Sequence, residues 1–393
     1  MTGTGGTSGG SSGNSGGTGG SGGAVDAGTG GAGGSGGGTD AGGDRGSGGQ
    51  SGTDGGADAT DAVDTGPAGD PMLLSQTGLY ADVAAGTLAP GVYAFQPQYP
   101  LWSDSASKRR WVSIPAGMKI DTSDMDFWDY PSGTKFWKEF TRDGADGKPV
   151  RVETRLLMKR AAGDWFAMAF KWNAQLTDAV AVPAGEKNAS NTQHDIPTKE
   201  NCSTCHSAMW DFALGFSALQ LSHNLGGGLN LDQVKAMGWL SNPPAASFTL
   251  PGDNVDKAAL GYMHANCGMC HNERSKIYNI NVDMDLWTHL DIASSVNTTR
   301  AYLSTVCDQW LRSAVITTCA AGHAVGAASK GMTARVPKRV MPGMPAMSGI
   351  HELMNLREMG VVGMRQMPPL ATKVVDTAGL AAVDAWITRL QRQ

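Results

Sequence analysis

Two five-residue stretches, Cys202-Ser-Thr-Cys205-His206 and Cys267-Gly-Met-Cys270-His271, constrain the fold more than any other feature of the chain. Each reads CxxCH. In such a pentad the two thiols add across the vinyl groups of a haem, and the histidine that follows is held under the iron as its proximal imidazole ligand. A bare CxxC could be a redox dithiol or half of a zinc site. The adjoining histidine, present in both copies, favours haem attachment over either, so the chain is expected to build its core around two attached haems.

The first seventy residues stand apart from that core. They hold 30 of the 55 glycines, have no aromatic residue and have Arg45 as their one basic residue. Such a stretch cannot bury enough apolar surface to offset the entropy of ordering it, and residues 1–70 read as a disordered Gly/Ser-rich tether. The remainder, rich in Trp, Met, Leu and Val, is long enough for a conventional core. No run of eighteen apolar residues occurs, so no transmembrane span is expected. A net charge of -5 leaves no footprint for nucleic acid.

Of six cysteines, four lie in the pentads. The remaining pair, Cys307 and Cys319, is expected to form a disulfide, because haem attachment of this type belongs to an oxidising, extracytoplasmic compartment. The rival use is a metal site with His323. Export needs a leader, yet the chain opens Met1-Thr-Gly-Thr-Gly-Gly. A glycine-rich tether commonly follows the lipid-bearing cysteine of a bacterial lipoprotein, so a leader and an anchor cysteine are expected to precede this start.

Residues 71–195 read as β-rich. Val150, Val152, Thr154, Leu156 and Met158 alternate with Arg151, Glu153 and Arg155, the pattern of a half-buried strand. Phe166, Met168, Phe170 and Trp172 repeat it, with a hairpin turn expected at Gly163-Asp164. Thr134 to Phe140 reads as a further strand, and an antiparallel sandwich is expected. Trp102, Trp111, Trp128 and Trp137, with Asp104, Lys108, Arg109 and Arg110, form either a binding surface or a β core with a solvated charged rim. The rim is the expected use.

Residues 196–252 are expected to be a first haem-binding helical segment, with helices over Leu214 to Leu221 and Leu229 to Leu240. Residues 253–393 form the second haem unit. Asp253 or Asn254 caps a helix that carries Val255, Ala259, Tyr262 and Met263 into Cys267. Far downstream come Met364-Arg-Gln-Met367-Pro-Pro-Leu and a closing helix with Leu380, Val383, Trp386, Ile387 and Leu390 on one stripe.

A helix ending in CxxCH, a Met-Pro-Pro-Leu loop and an amphipathic last helix resemble class I cytochrome c over roughly residues 196 to 393. The whole chain, with Tyr99-Pro-Leu-Trp-Ser-Asp104 and Glu153-Thr-Arg-Leu-Leu157, also resembles di-haem c-type cytochromes of proteobacteria. The fold class implied is multidomain α+β: an antiparallel β-rich domain followed by mainly α-helical cytochrome c-like haem domains. The family resemblance makes Met367 the distal iron ligand of the second haem, a soft thioether that favours ferrous iron. Met344 and Met347 compete for that role. The 95 residues between His271 and Met367 exceed what a minimal cytochrome c needs and imply an insertion.

The first haem lacks a motif for its distal ligand. Met209, His194, His223 and Met237 are candidates, and His223 is chosen because it follows an apolar run long enough to cross the haem face as a helix. The expected iron ligands are therefore His206, His271, Met367 and His223. The expected function is electron transfer between extracytoplasmic redox partners, at the periplasm or outer surface of a Gram-negative bacterium. The alternative is a di-haem peroxidase-like or other haem oxidoreductase with an open distal site at the first haem.

Overall fold

The computed structural model describes residues 69–275, 284–307, 338–357, 366–369 and 372–390. The tether, Cys319 and His323 lie outside them, so the partner expected for the buried Cys307 is not among the described residues. Contacts group Asp64–Gln393 into one unit. Its largest element is a six-stranded antiparallel sheet in the order β3-β4-β5-β6-β7-β8. The strands are β3 (Tyr93–Ala94), β4 (Ser107–Ser113), β5 (Lys135–Asp143), β6 (Pro149–Ala161), β7 (Asp164–Trp172) and β8 (Ala179–Ala181). Each pairs with its neighbours in sequence; from β5 onward short turns such as Ala162-Gly163 return the chain directly, whereas residues 95–106 and 114–134 form longer connections. A separate ribbon joins β1 (Tyr80–Asp82) to β2 (Thr87–Leu88).

The expected sandwich is not formed: a single large sheet carries a different cover on each face. One face holds Trp111, Trp137, Leu156, Met168, Phe170 and Trp172, closed by Leu74, Leu79 and Tyr80. The other packs Val112, Ile114 and Phe136 against Phe216, Leu221, Leu229, Leu231 and Val234, so the segment after the first pentad shares the sheet's core.

A bulge corrects the expected face assignment of β6. Phe140 lies opposite Glu153 and Thr141 opposite Arg151, leaving Val152 as the extra residue. Because side chains alternate with period two, one inserted residue exchanges the faces beyond it. Arg151 therefore does not share a face with Glu153 and Arg155. It reaches Glu139 at 2.6 Å and lies 3.7 Å from the centre of the Trp172 ring.

The helices are α1 (Lys199–His206), α2 (Ala218–Leu221), α3 (Leu231–Ala236), α4 (Asn254–Asn266), α5 (Arg300–Thr305), α6 (Gly349–Asn355) and α7 (Thr377–Arg389). Asp253 caps α4 as expected, its carboxylate accepting from Val255 and Asp256 N–H. Helix α7 buries Val383, Trp386 and Ile387 completely, each contributing roughly 1.5–3 kcal/mol. Its partner is α4, and the crossing is close: a Cβ on Gly379 would lie 2.0 Å from the Tyr262 ring. Among the described residues no helix is long and apolar enough to cross a membrane.

The expectation of mainly α-helical cytochrome c-like haem domains following a β domain is overturned. The described residues are β-rich, built on the six-stranded sheet, with few helices. The physical reason is local. Helix α1 has no buried residue, and α2 and α3, four and six residues long, cannot enclose a core of their own. They bury their apolar side chains on the sheet instead.

Candidate functional site

Helix α1 is placed by a backbone clamp. Glu186 and Ile196 exchange hydrogen bonds of 3.0 and 2.8 Å, and Lys199 N–H donates to the Pro183 carbonyl at 2.9 Å. Gly185 makes the approach feasible: its φ is +68°, and a Cβ would meet the Ile196 carbonyl oxygen at 2.6 Å. Thr198 caps the helix by accepting from Asn201 N–H. The first pentad thus occupies the final turns of a short, firmly seated helix.

The loop after it orients His206. Its Nδ1–H donates to the Phe212 carbonyl at 2.6 Å, which leaves Nε2 with its lone pair. Phe212 sits at φ +58°, an unfavourable region for a bulky residue, and its ring stacks on Trp165. Asp211 holds it there. That carboxylate accepts from Tyr130 N–H at 2.7 Å and Trp165 Nε1–H at 2.8 Å and pairs with buried Lys159 at 2.7 Å. Burial nevertheless pushes the Asp211 carboxyl above the usual range, Lys159 offsetting part of that cost.

The second pentad continues from the end of α4, where Cys267 and Gly268 N–H both donate to the Met263 carbonyl. The His271 carbonyl accepts from Leu286 N–H at 2.8 Å, pinning the backbone. The His271 side chain is buried, and Nδ1 has no protein partner among the described residues. Burial lowers His206 and His271 alike to about 4, so both imidazoles are neutral at pH 7.

The two pentads converge. All four of their cysteines and both histidines line one cavity of about 710 Å³. All four thiols are free and half-buried. Cys205 and Cys270 are close enough to hydrogen-bond, which draws the Cys205 thiol down to about 7 and pushes Cys270 up. Burial pushes Cys267 up to about 12 and raises Cys202. The cavity also takes apolar lining from Phe140, Leu214 and Ile350. Paired thiols and neutral imidazoles on one largely apolar cavity suit covalently held planar cofactors better than a zinc ion, which needs its ligands within about 2.3 Å of one point, and among the described residues no three of these ligand atoms lie close enough together to share one.

Met367 is half-buried in the cavity wall, its N–H donating to the Leu353 carbonyl at 2.9 Å. Met344 and Met347 are not among the lining residues, and Met347 is 41% exposed. His223 is not brought to the cavity either. Its Nε2–H donates to the Gln96 carbonyl at 2.6 Å. The short α2, ending at Leu221, does not carry it across to His206. His194 does line the cavity, buried, with Nε2 2.6 Å from Glu153 Oε1. Met269, Met284 and Met354 are further lining thioethers with no motif to single them out.

The Tyr99–Asp104 phrase acts as a strap. Trp102 N–H donates to Asn266 Oδ1 at 2.7 Å beside the second pentad, and Asp104 accepts from Lys373 and Val374 N–H. Sequence reading missed Asp211, because nothing in a lone aspartate five residues after a histidine announces a buried anchor. It also assigned Arg110 to a solvated rim. Arg109 suits that description at 61% side-chain exposure, but Arg110 is 8% exposed and faces the cavity.

One group of described side chains is spaced for a metal ion: Asp126, His289 and Asp291. His289 is already committed, with Nε2 3.1 Å from Asp285 and Nδ1 3.9 Å from Asp126. These carboxylates raise its pKa against the effect of burial, and its contacts to Asp285 and Asp126 account for its position without an ion. No protein-family model, no curated protein and no solved structure matches the chain.

Proposed function

We propose that the chain is a di-haem c-type cytochrome that carries single electrons between extracytoplasmic redox partners. The observation that carries this reading is the convergence of both CxxCH pentads on one cavity, with four free thiols and two neutral imidazoles. Cys202 and Cys205 would hold one haem and Cys267 and Cys270 the other, with His206 and His271 as proximal ligands. Haem supplies a one-electron iron couple whose potential is set by axial ligands, burial and hydrogen bonding.

The chain's own contribution is to prepare the ligands. The Phe212 carbonyl fixes the His206 tautomer and adds basicity to Nε2. Met367, in the wall with its backbone tied to α6, is proposed as the thioether ligand of the second haem. Covalent attachment prevents loss of cofactor in an open compartment. The periplasm or outer surface, with a lipid anchor, is the proposed location.

The test is mass spectrometry of protein exported from a host with cytochrome c maturation. Two haem additions are expected, and none from a cytoplasm that lacks the machinery. Cys202→Ala with Cys205→Ala should remove one haem and leave the other. Fewer than two additions to the unmutated chain would sink the reading.

A second reading, a haem oxidoreductase with an open distal position, is favoured by His194, which presents a carboxylate-backed imidazole at the cavity wall. EPR separates the two. Two low-spin ferric signals support the carrier, and a high-spin component that shifts with cyanide supports the enzyme.

A further inference from the structure

Three cations lie side by side in the sheet that floors the cavity. Arg110 of β4 is directly opposite Lys138 of β5, and Lys138 is directly opposite Arg155 of β6. All three line the cavity that holds the pentads. Like charges directly opposite each other across strands are destabilising, and a row of three compounds the cost. Arg110 is only 8% exposed, and Lys138 and Arg155 are half-buried.

Only one of the three is compensated. Arg155 pairs with the fully buried Glu153 at 2.5 Å, and that carboxylate is shared with His194. Among the described residues no carboxylate pairs with Arg110 or Lys138. The nearest relief for Lys138 is the Phe140 ring, 5.1 Å from Nζ. Burial and the flanking cations hold the Lys138 ammonium well below its usual range, and burial takes Arg110 down to about 10. An uncompensated cationic pair at the floor of this cavity, Arg110 buried and Lys138 half-buried, is a site for an anion.

We propose that Arg110 and Lys138, with Arg155 completing the row, bind the propionate carboxylates of haem held in this cavity. The proposal rests on the haem reading above. Arg110 offers a planar fork for bidentate carboxylate binding, and Lys138 a point charge beside it. Bound carboxylate would remove the repulsion along the row, so the sheet and the attached cofactor stabilise each other.

The test uses the mature, exported protein, grown on 5-aminolevulinate carrying carbon-13 at the carboxyl that becomes the propionate. Redox-difference infrared spectra then show which carboxyl bands belong to haem rather than to Asp or Glu. Haem content is checked first by mass spectrometry: fewer than two haems in the unmutated protein defeats the parent reading, not this assignment. With two haems present, Lys138→Met and Arg110→Met should each shift the labelled bands and lower the midpoint potential. Each should also give that potential a pH-dependent slope in the neutral range, as a propionate deprived of its cation begins to titrate. Lys138→Arg should restore the flat profile.

Labelled bands and pH profile unchanged in both Met variants, with two haems retained, would overturn the assignment. A free small anion is the other source of the same chemistry. After exchange into low-anion buffer, saturable perturbation of the unmutated spectrum by acetate, abolished in Lys138→Met, would also overturn it. Should Arg110→Met fail to fold, Lys138→Met alone decides, since its ammonium has no protein carboxylate to lose.

Discussion

The Asp211 anchor allows a quantitative test of how His206 is held. Asp211→Asn keeps the side-chain shape and one acceptor oxygen for Tyr130 N–H or Trp165 Nε1–H, but removes the charge facing Lys159. Removing one member of a buried ion pair costs about 3–5 kcal/mol. Two features reduce that here. Lys159 keeps a second carboxylate, Asp129, itself half-exposed, and neutralisation relieves the desolvation that raises the Asp211 pKa. A loss of about 2 kcal/mol is therefore expected, or roughly 4–8 °C in Tm at the scale of larger domains. Urea titrations of the mature protein, followed by circular dichroism, measure it. Adding Lys159→Met completes a double-mutant cycle with expected coupling of about 1–3 kcal/mol. The second readout is spectroscopic: the ferric EPR signal of the first haem should broaden as the Phe212 carbonyl loses its fixed position, while the second haem is unaffected. Coupling below about 0.5 kcal/mol with an unchanged EPR signal would refute the anchor.

Three further outcomes follow from the geometry. Met367→Ala should abolish the methionine-to-iron charge-transfer band of the second haem and lower its potential, whereas Met344→Ala and Met347→Ala should not, and a band surviving in Met367→Ala excludes that ligand. His289, raised by Asp285 and Asp126, contributes stability that is complete below its unfolded pKa of about 6.5 and is lost as pH rises through the folded value. Asp126, pushed up to about 7 by burial, disfavours the folded state increasingly between its unfolded value and 7. Urea midpoints should thus already decline as pH rises from the unfolded value of Asp126 toward 7 and decline further as His289 loses its proton above about 6.5, and His289→Gln should flatten the later part of that decline. Gly185→Ala should destabilise by more than about 1 kcal/mol, since both its φ and the Ile196 carbonyl oppose a side chain. An unchanged urea midpoint in that variant would mean the clamp before α1 is dispensable.

Much of the local structure was legible because it follows from short-range periodicity. The strand from Thr134, the β6–β7 hairpin at Gly163, the Asp253 cap and the α7 stripe all appear where alternation or capping places them. What was not legible depends on non-local pairing. The bulge at Val152 has no side-chain signature, yet it moves Arg151 to the other face and leaves Glu153 and Arg155 under the cavity. The charged residues of β4 looked like a solvated rim because alternation cannot say whether the polar face meets open water or an interior cavity. Counting residues past the apolar run Leu214 to Leu221 places His223 at the haem, but only Ala218–Leu221 of that run is helical and the His223 ring instead reaches the Gln96 carbonyl. The two pentads were recognisable individually. Their meeting was not, because the 60 residues of intervening chain carry no mark of where they return.

The nearness of Cys205 and Cys270 has a consequence for how the protein is made. A thiol brought down to about 7 beside a second thiol is well placed for oxidation in the compartment proposed for this chain. A cross-link between the pentads would consume one attachment sulfur from each. On the proposed haem reading, biogenesis would be a race between two covalent fates for the same pair of atoms, and only thioether formation on the still-open chain would lead to the working protein. Folding first would close the cavity around a sulfur–sulfur bond, and no later supply of cofactor could repair that order of events without a reductant able to reach it.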